Sequence, residues 1–163
     1  MTAATQESEV RTSTGPELLG LSHLGLSVRD IPAAQRFWTD VMGFEILFDG
    51  ETFSMLIERS ARLAIGVTNQ EGKAAGTFNE NHIGLDHLAL AVADVPALMR
   101  WEQWLSDKDV EHSPITTSDA GHHLNLRAPD NFPIELFVLS EQGAADMGLT
   151  VDEPSVAGGH HVR

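Results

Sequence analysis

Apolar and polar positions alternate from His23 onward, with Leu24, Leu26 and Val28 on one side and His23, Gly25 and Ser27 on the other. A period of two places these sets on opposite faces of a strand, one greasy and one lined by small or polar groups. The period then lengthens. Asp30 is placed as an N-cap with Pro32 in the first turn, and Ile31, Ala34, Phe37, Trp38 and Val41 follow at helical spacing until Gly43 ends the helix. Three β-prone runs, 44–48, 52–57 and 63–68, are separated by Asp49-Gly50 and by a polar turn at 59–62, and they predict three further strands.

The same order recurs. Laying residues 85–102 over residues 21–38, an offset of 64, gives nine identities in eighteen positions, among them His, Asp, Pro and Arg. Leu88, Leu90 and Val92 alternate with His87, Ala89 and Ala91; Asp94 caps a helix carrying Val95, Leu98, Trp101 and Leu105; strands are predicted near 110–116, 122–128 and 134–139. The chain is therefore two copies of a βαβββ unit of about 60 residues. A domain over 18–139 holds module 1 at about 20–68, a Gly/Asn-rich linker at 69–83, and module 2 at about 84–139. Residues 1–17 and 140–163 read as polar tails, the second with room for a short helix.

Composition narrows the function classes. With 24 acidic against 10 basic residues the net charge is −14, a poor match for a nucleic-acid phosphate backbone. No Cys is present, which removes disulfides, thiolate ligands and cysteine nucleophiles, and no run approaches the ~20 apolar residues of a membrane span. Without a secretory leader pattern the expectation is a cytoplasmic protein whose partner is a small molecule, not nucleic acid or membrane.

Three residues carry candidate chemistry. His23 and His87 occupy equivalent positions on the small-residue faces of the two first strands, and repeat symmetry predicts that they face each other. Glu135 stands between Ile134 and Leu136, so it points away from their apolar face and needs a cation or a hydrogen-bond partner. Two imidazoles and one carboxylate on three strands make a 2-His-1-carboxylate set with coordination positions left open. Taken singly, each histidine reads more simply as a structural residue; the symmetry and the inward carboxylate favour a metal. On the preceding strand Leu124 and Leu126 take the core face, which sends His123, Asn125 and Arg127 toward the pocket. There His123 can shuttle a proton, and Asn125 or Arg127 can orient a phenolate or carboxylate; the plain alternative is a polar pocket rim. His122 points away, and His82, His112, His160 and His161 receive no role. Phe37, Trp38, Trp101 and Trp104 read as helix-to-sheet packing.

The His-bearing first strands with their Asp-x-Pro helix starts, the segment Asp40-Val41-Met42-Gly43-Phe44, and the turn Ala128-Pro129-Asp130-Asn131 before Glu135 resemble the paired modules of the vicinal oxygen chelate superfamily over about 21–139. That superfamily groups glyoxalase I, bleomycin- and fosfomycin-resistance proteins, methylmalonyl-CoA epimerase and extradiol dioxygenases. The resemblance implies an α+β fold whose two βαβββ modules form a cup-shaped mixed sheet with helices outside, closed within one chain or across a homodimer. It also implies His23, His87 and Glu135 as ligands of one divalent ion, iron ahead of Mn, Ni, Zn or Co. A fourth ligand position falls at or near Gly66, which offers no donor; this counts against glyoxalase-like isomerisation and ranks Fe(II) extradiol-type dioxygenation ahead of it. The chain also lacks the Tyr that such dioxygenases and fosfomycin enzymes usually bring to the pocket. A non-catalytic, drug-binding protein is the competing class.

Overall fold

The structure, a computed structural model, describes residues 20–147. The predicted tails at 1–17 and beyond 147 lie outside the described residues. The described residues form two four-stranded mixed sheets with helices between their strands. In the first, β1 (Leu24–Ser27), β2 (Glu45–Asp49), β3 (Phe53–Glu58) and β4 (Leu63–Thr68) run in the order β1-β4-β3-β2. In the second, β5 (Leu88–Ala91), β6 (Thr116–Thr117), β7 (Gly121–Arg127) and β8 (Pro133–Leu139) repeat it as β5-β8-β7-β6. The first and last strands of each module pair in parallel and the others antiparallel, so β1 and β5 are free edges.

Each helix starts where its cap dictates. The Asp30 carboxylate accepts from the Ala33 amide at 2.9 Å ahead of α1 (Ile31–Arg36), and Asp94 accepts from Ala97 at 2.7 Å ahead of α2 (Val95–Asp107). Asp94→Ala is expected to lower the unfolding free energy by about 1 kcal/mol, read as a shift of the urea midpoint at unchanged slope. The first helix does not run regularly to Gly43. It widens into a π-helical turn, Phe37–Val41, beneath the buried ring of Trp38, and the Phe44 amide closes it on the Trp38 carbonyl at 2.8 Å.

The strand predicted near 110–116 is corrected. Only Thr116 and Thr117 pair regularly, while His112 makes one isolated bridge to Leu126. Pro114 has no N–H to donate to a ladder, and the backbone bonds of this segment, Ser113 N to Asn125 O and Arg127 N to Glu111 O, are irregular. The predicted second tail begins as structure: α3 (Glu141–Asp146) is capped by Ser140 and buries Ala144.

One apolar core runs through both modules. It contains Val28, Ile31, Ala34 and Trp38 from the first and Leu98, Leu124, Ile134 and Leu136 from the second. These are the helix-facing residues; the opposite faces, with Gly25 and Ser27 on β1 and Ala89 and Ala91 on β5, stay exposed. Polar bonds strengthen the seam: Trp104 Nε1 donates to the Val41 carbonyl at 2.9 Å, and the Asp130 carboxylate pairs with the Arg29 guanidinium while accepting its amide at 2.8 Å. Trp104 itself stays 41% exposed, so it serves the seam and is not core.

Candidate functional site

The open face of the second sheet carries the polar residues that alternation assigns to it. On β7, Leu124 and Leu126 are buried and His123, Asn125 and Arg127 lie on the other face; on β8, Ile134, Leu136 and Val138 are buried, which places Glu135 beside them on the open face. Register brings them together, with Asn125 opposite Glu135 and Ala89 beside it on the other side.

Glu135 is the hub. Its Oε1 accepts from His123 Nδ1 at 2.6 Å, and its Oε2 lies 3.4 Å from His87 Nε2. The other nitrogen of each ring is engaged as well: Ser118 Oγ meets His123 Nε2 at 2.7 Å, and His87 Nδ1 donates to the Asp86 carboxylate at 2.6 Å. With Nδ1 engaged by Asp86, His87 presents Nε2 to the second carboxylate oxygen of Glu135. An imidazole nitrogen and a carboxylate oxygen thus converge on one point of the open face, each with its other polar atom engaged. Phe137 packs on the His123 ring, centroids 4.9 Å apart, so the imidazole is held from the side as well as at both nitrogens.

His23 does not join this group. It lies at the start of the other free edge, where its Nδ1 meets Ser22 Oγ at 3.2 Å, and it makes no ion pair with Glu135. Among the described residues no group of three His, Asp or Glu side chains is disposed to hold a metal ion. Within one chain, therefore, two members of the predicted set come together and the third stands apart.

Pairing of Gly25 with Gly66 matches that of Ala89 with Glu135, so Gly66 occupies the position equivalent to the carboxylate. A Cβ there would stand 3.0 Å from Cε2 of Phe53, so an aromatic ring fills space beside this position. Asp86 and Ser118 were not singled out from sequence. An acidic residue beside a candidate ligand is a usable signal for Asp86, whereas Ser118 is five residues before His123 and meets it only because the β6–β7 turn folds back.

Residues 20–136 match the family model of the Glyoxalase/Bleomycin resistance protein/Dioxygenase superfamily, which covers nearly the whole described fold. The chain belongs to this superfamily. Similar solved structures agree with the assignment. A glyoxylase/bleomycin resistance protein/dioxygenase domain from Frankia sp. EAN1pec is 25% identical, with a TM-score of 0.66 over 80% of this chain and 99% of that one. The fosfomycin resistance protein of Listeria monocytogenes, solved with Mn(II) and sulfate, is 19% identical at a TM-score of 0.62, covering 80% and 99%. An antibiotic-binding protein from Streptomyces sp. CB03234 is 15% identical at 0.60, covering 77% and 100%. The last two likenesses show the superfamily fold alone. No curated protein matches the chain in sequence. Among the described residues, no helix is long and apolar enough to cross a membrane.

Proposed function

We propose that the protein is a divalent-metal enzyme of this superfamily acting on a small molecule that chelates through adjacent oxygens. The observation that carries the reading is the convergence of His87 Nε2 and Glu135 Oε2, 3.4 Å apart on the open face, with His87 Nδ1 tied to Asp86 and Glu135 Oε1 tied to His123. The donor chemistry fits a borderline divalent ion, and two imidazoles with one carboxylate are the set associated with non-haem Fe(II) oxygen chemistry. His23 completes that set from a second copy of the chain. His23 and His87 each stand immediately before an edge strand, and a crevice of about 1100 Å³ runs along β5 past Ala89, Ala91 and Phe137. A homodimer that sets β1 of one copy beside β5 of the other brings the equivalent histidines face to face.

When bound, the ion supplies Lewis-acid polarisation and a template for two vicinal oxygens. The chain's residues do the rest. His123 holds Glu135 by one oxygen and can take or return a proton there, and Asn125 and Arg127 line the same face. Gly66 leaves the symmetry-related position, where glyoxalase-like members of the superfamily carry the proton-shuttling base, without a carboxylate. This ranks oxygen-dependent cleavage of a catechol-like substrate ahead of glyoxalase-like isomerisation. Structural relatives that include a fosfomycin resistance protein and an antibiotic-binding protein support a small-molecule ligand in either case.

The deciding experiment is metal analysis of protein purified without chelator, followed by anaerobic Fe(II) reconstitution and an oxygen electrode. Uptake of oxygen with catechols and slow turnover of methylglyoxal–thiol adducts are expected. Brisk isomerisation of those adducts with Ni or Zn and no oxygen uptake reverses the ranking. Tight stoichiometric ligand binding by metal-free protein transfers the assignment to a binding protein.

A further inference from the structure

Arg127 is the only Lys or Arg in the four strands of the second sheet, and it ends β7 on the open face two residues beyond Asn125. Because Asn125 pairs with Glu135, Arg127 is a diagonal neighbour of the carboxylate, about 7–8 Å away between backbones. Its guanidinium donates from Nη2 to Glu80 Oε1 at 2.6 Å and from Nη1 to the Asn131 carbonyl at 3.3 Å.

Glu80 comes from the linker, not from the sheet. The linker is fastened one step away, where the Phe78 amide donates to the Asp130 carbonyl, Asn131 Nδ2 donates to the Phe78 carbonyl, and the Phe78 and Phe132 rings meet edge to face. Glu80 itself contributes only its side chain to the contact. Arg127 and Glu80 are 33% and 32% exposed, so solvent and a ligand reach both. The hydrogen bond from Arg127 holds the Glu80 carboxyl below its ordinary range, and Glu80 in turn raises the proton affinity of Arg127, with Glu111 and Asp86 adding to it. Against these acids the guanidinium is the cation that the four strands offer an anion on this face.

We infer that Arg127 is an anion subsite and that Glu80 is its resident internal ligand, displaced when a substrate places its own carboxylate on the guanidinium. The inference rests on the metal-chelate reading for what sits at the other end of the ligand. Arg127 is a diagonal neighbour of Glu135 on the same face, so the substrate class becomes a small molecule with two vicinal oxygens and one carboxylate. A guanidinium fork takes such a carboxylate through two parallel N–H donors, whereas Glu80 uses one oxygen, so exchange improves the pairing. Glu80 then acts as a selectivity device: neutral chelators gain nothing from opening the pair, and anionic ones recover its cost.

The test compares catechol with 3,4-dihydroxybenzoate by titration calorimetry on the full-length, Mn(II)-loaded protein under nitrogen. The wild type is expected to prefer the carboxylate-bearing ligand by about tenfold. Glu80→Gln keeps the shape and removes the charge; it is expected to widen that preference by a further three- to fivefold or so, because less of the protein is held closed, with catechol affinity unchanged. Arg127→Gln is expected to abolish the preference, and Arg127→Gln with Glu80→Gln to behave as Arg127→Gln alone. A preference that survives Arg127→Gln overturns the inference. So does a Glu80→Gln protein that melts lower with the wild-type preference, since that is a structural strap. Benzoate titrated into chelator-treated protein separates this idea from the metal reading. If Mn(II) does not bind, tighter benzoate binding by Glu80→Gln still supports the subsite, and no gain overturns it.

Discussion

Mixing a His23→Ala protein with a His87→Ala protein is expected to restore metal binding that neither variant shows alone. In the proposed homodimer each variant lacks one imidazole at both sites and should lose roughly 100-fold or more in affinity, as should Glu135→Ala, with native far-UV spectra. In a mixed dimer, His87 and Glu135 of the His23→Ala chain meet the intact His23 of the other, while the second site lacks both imidazoles. Random exchange makes half of the dimers mixed, so about one quarter of wild-type metal content should return. Recovery is measured by elemental analysis after subunit exchange and desalting. Individual losses without recovery mean that the three ligands meet inside one chain, and three variants with wild-type metal content remove the triad altogether. The mixture thus tests the shared site, whereas single substitutions test only the ligands.

Sequence reasoning reached the elements whose causes are local. Asp30 and Asp94 read as caps because a short acceptor followed by Pro has few other uses, and both carboxylates accept the amide three residues on. The alternation around Leu24 and Leu88 gave strand faces because side-chain direction has a period of two whatever the neighbours do. The same rule placed Glu135, His123, Asn125 and Arg127 on one face. The π-helical turn at Phe37–Val41 and the irregular run before Thr116 escaped it. No residue type announces the former, and the latter follows from how Glu111 and Ser113 meet β7, a contact between distant segments. Where His23 stands relative to His87 is not a local matter. A repeat establishes that His23 and His87 are equivalent, but equivalence holds equally for modules that face one another and for modules joined through their helix-bearing faces. The outcome depends on the packing of residues such as Val28, Trp38, Phe78 and Phe132, which are apolar in either arrangement.

Gly121→Ala is expected to destabilise the protein by about 3 kcal/mol or more, lowering the melting temperature by roughly 10 °C. Gly121 opens β7 opposite Leu139, and a Cβ built there lies 2.1 Å from the Val138 carbonyl oxygen and 2.8 Å from Cζ of Phe137. Real carbon atoms do not approach a backbone oxygen so closely. The obstacle belongs to a neighbouring strand rather than to the end of a flexible side chain, so β7 and β8 must part. Phe137 would move with them, and Phe137 packs on the ring that holds Glu135. Gly143→Ala supplies the contrast. Its added Cβ would stand 2.4 Å from the Ala120 carbonyl oxygen, also a severe clash, but Gly143 belongs to α3, the last described element, which can swing off without opening a sheet. Its cost is limited to the docking of that helix, about 1–2 kcal/mol from the burial of Ala144 and the Ser140 cap. Urea midpoints rank the two variants, and hydrogen exchange separates them, with protection lost across β7 and β8 in the first and confined to α3 in the second. Equal losses spread over the whole domain would show that α3 is part of the cooperative core and that clash distance, not position, sets the cost.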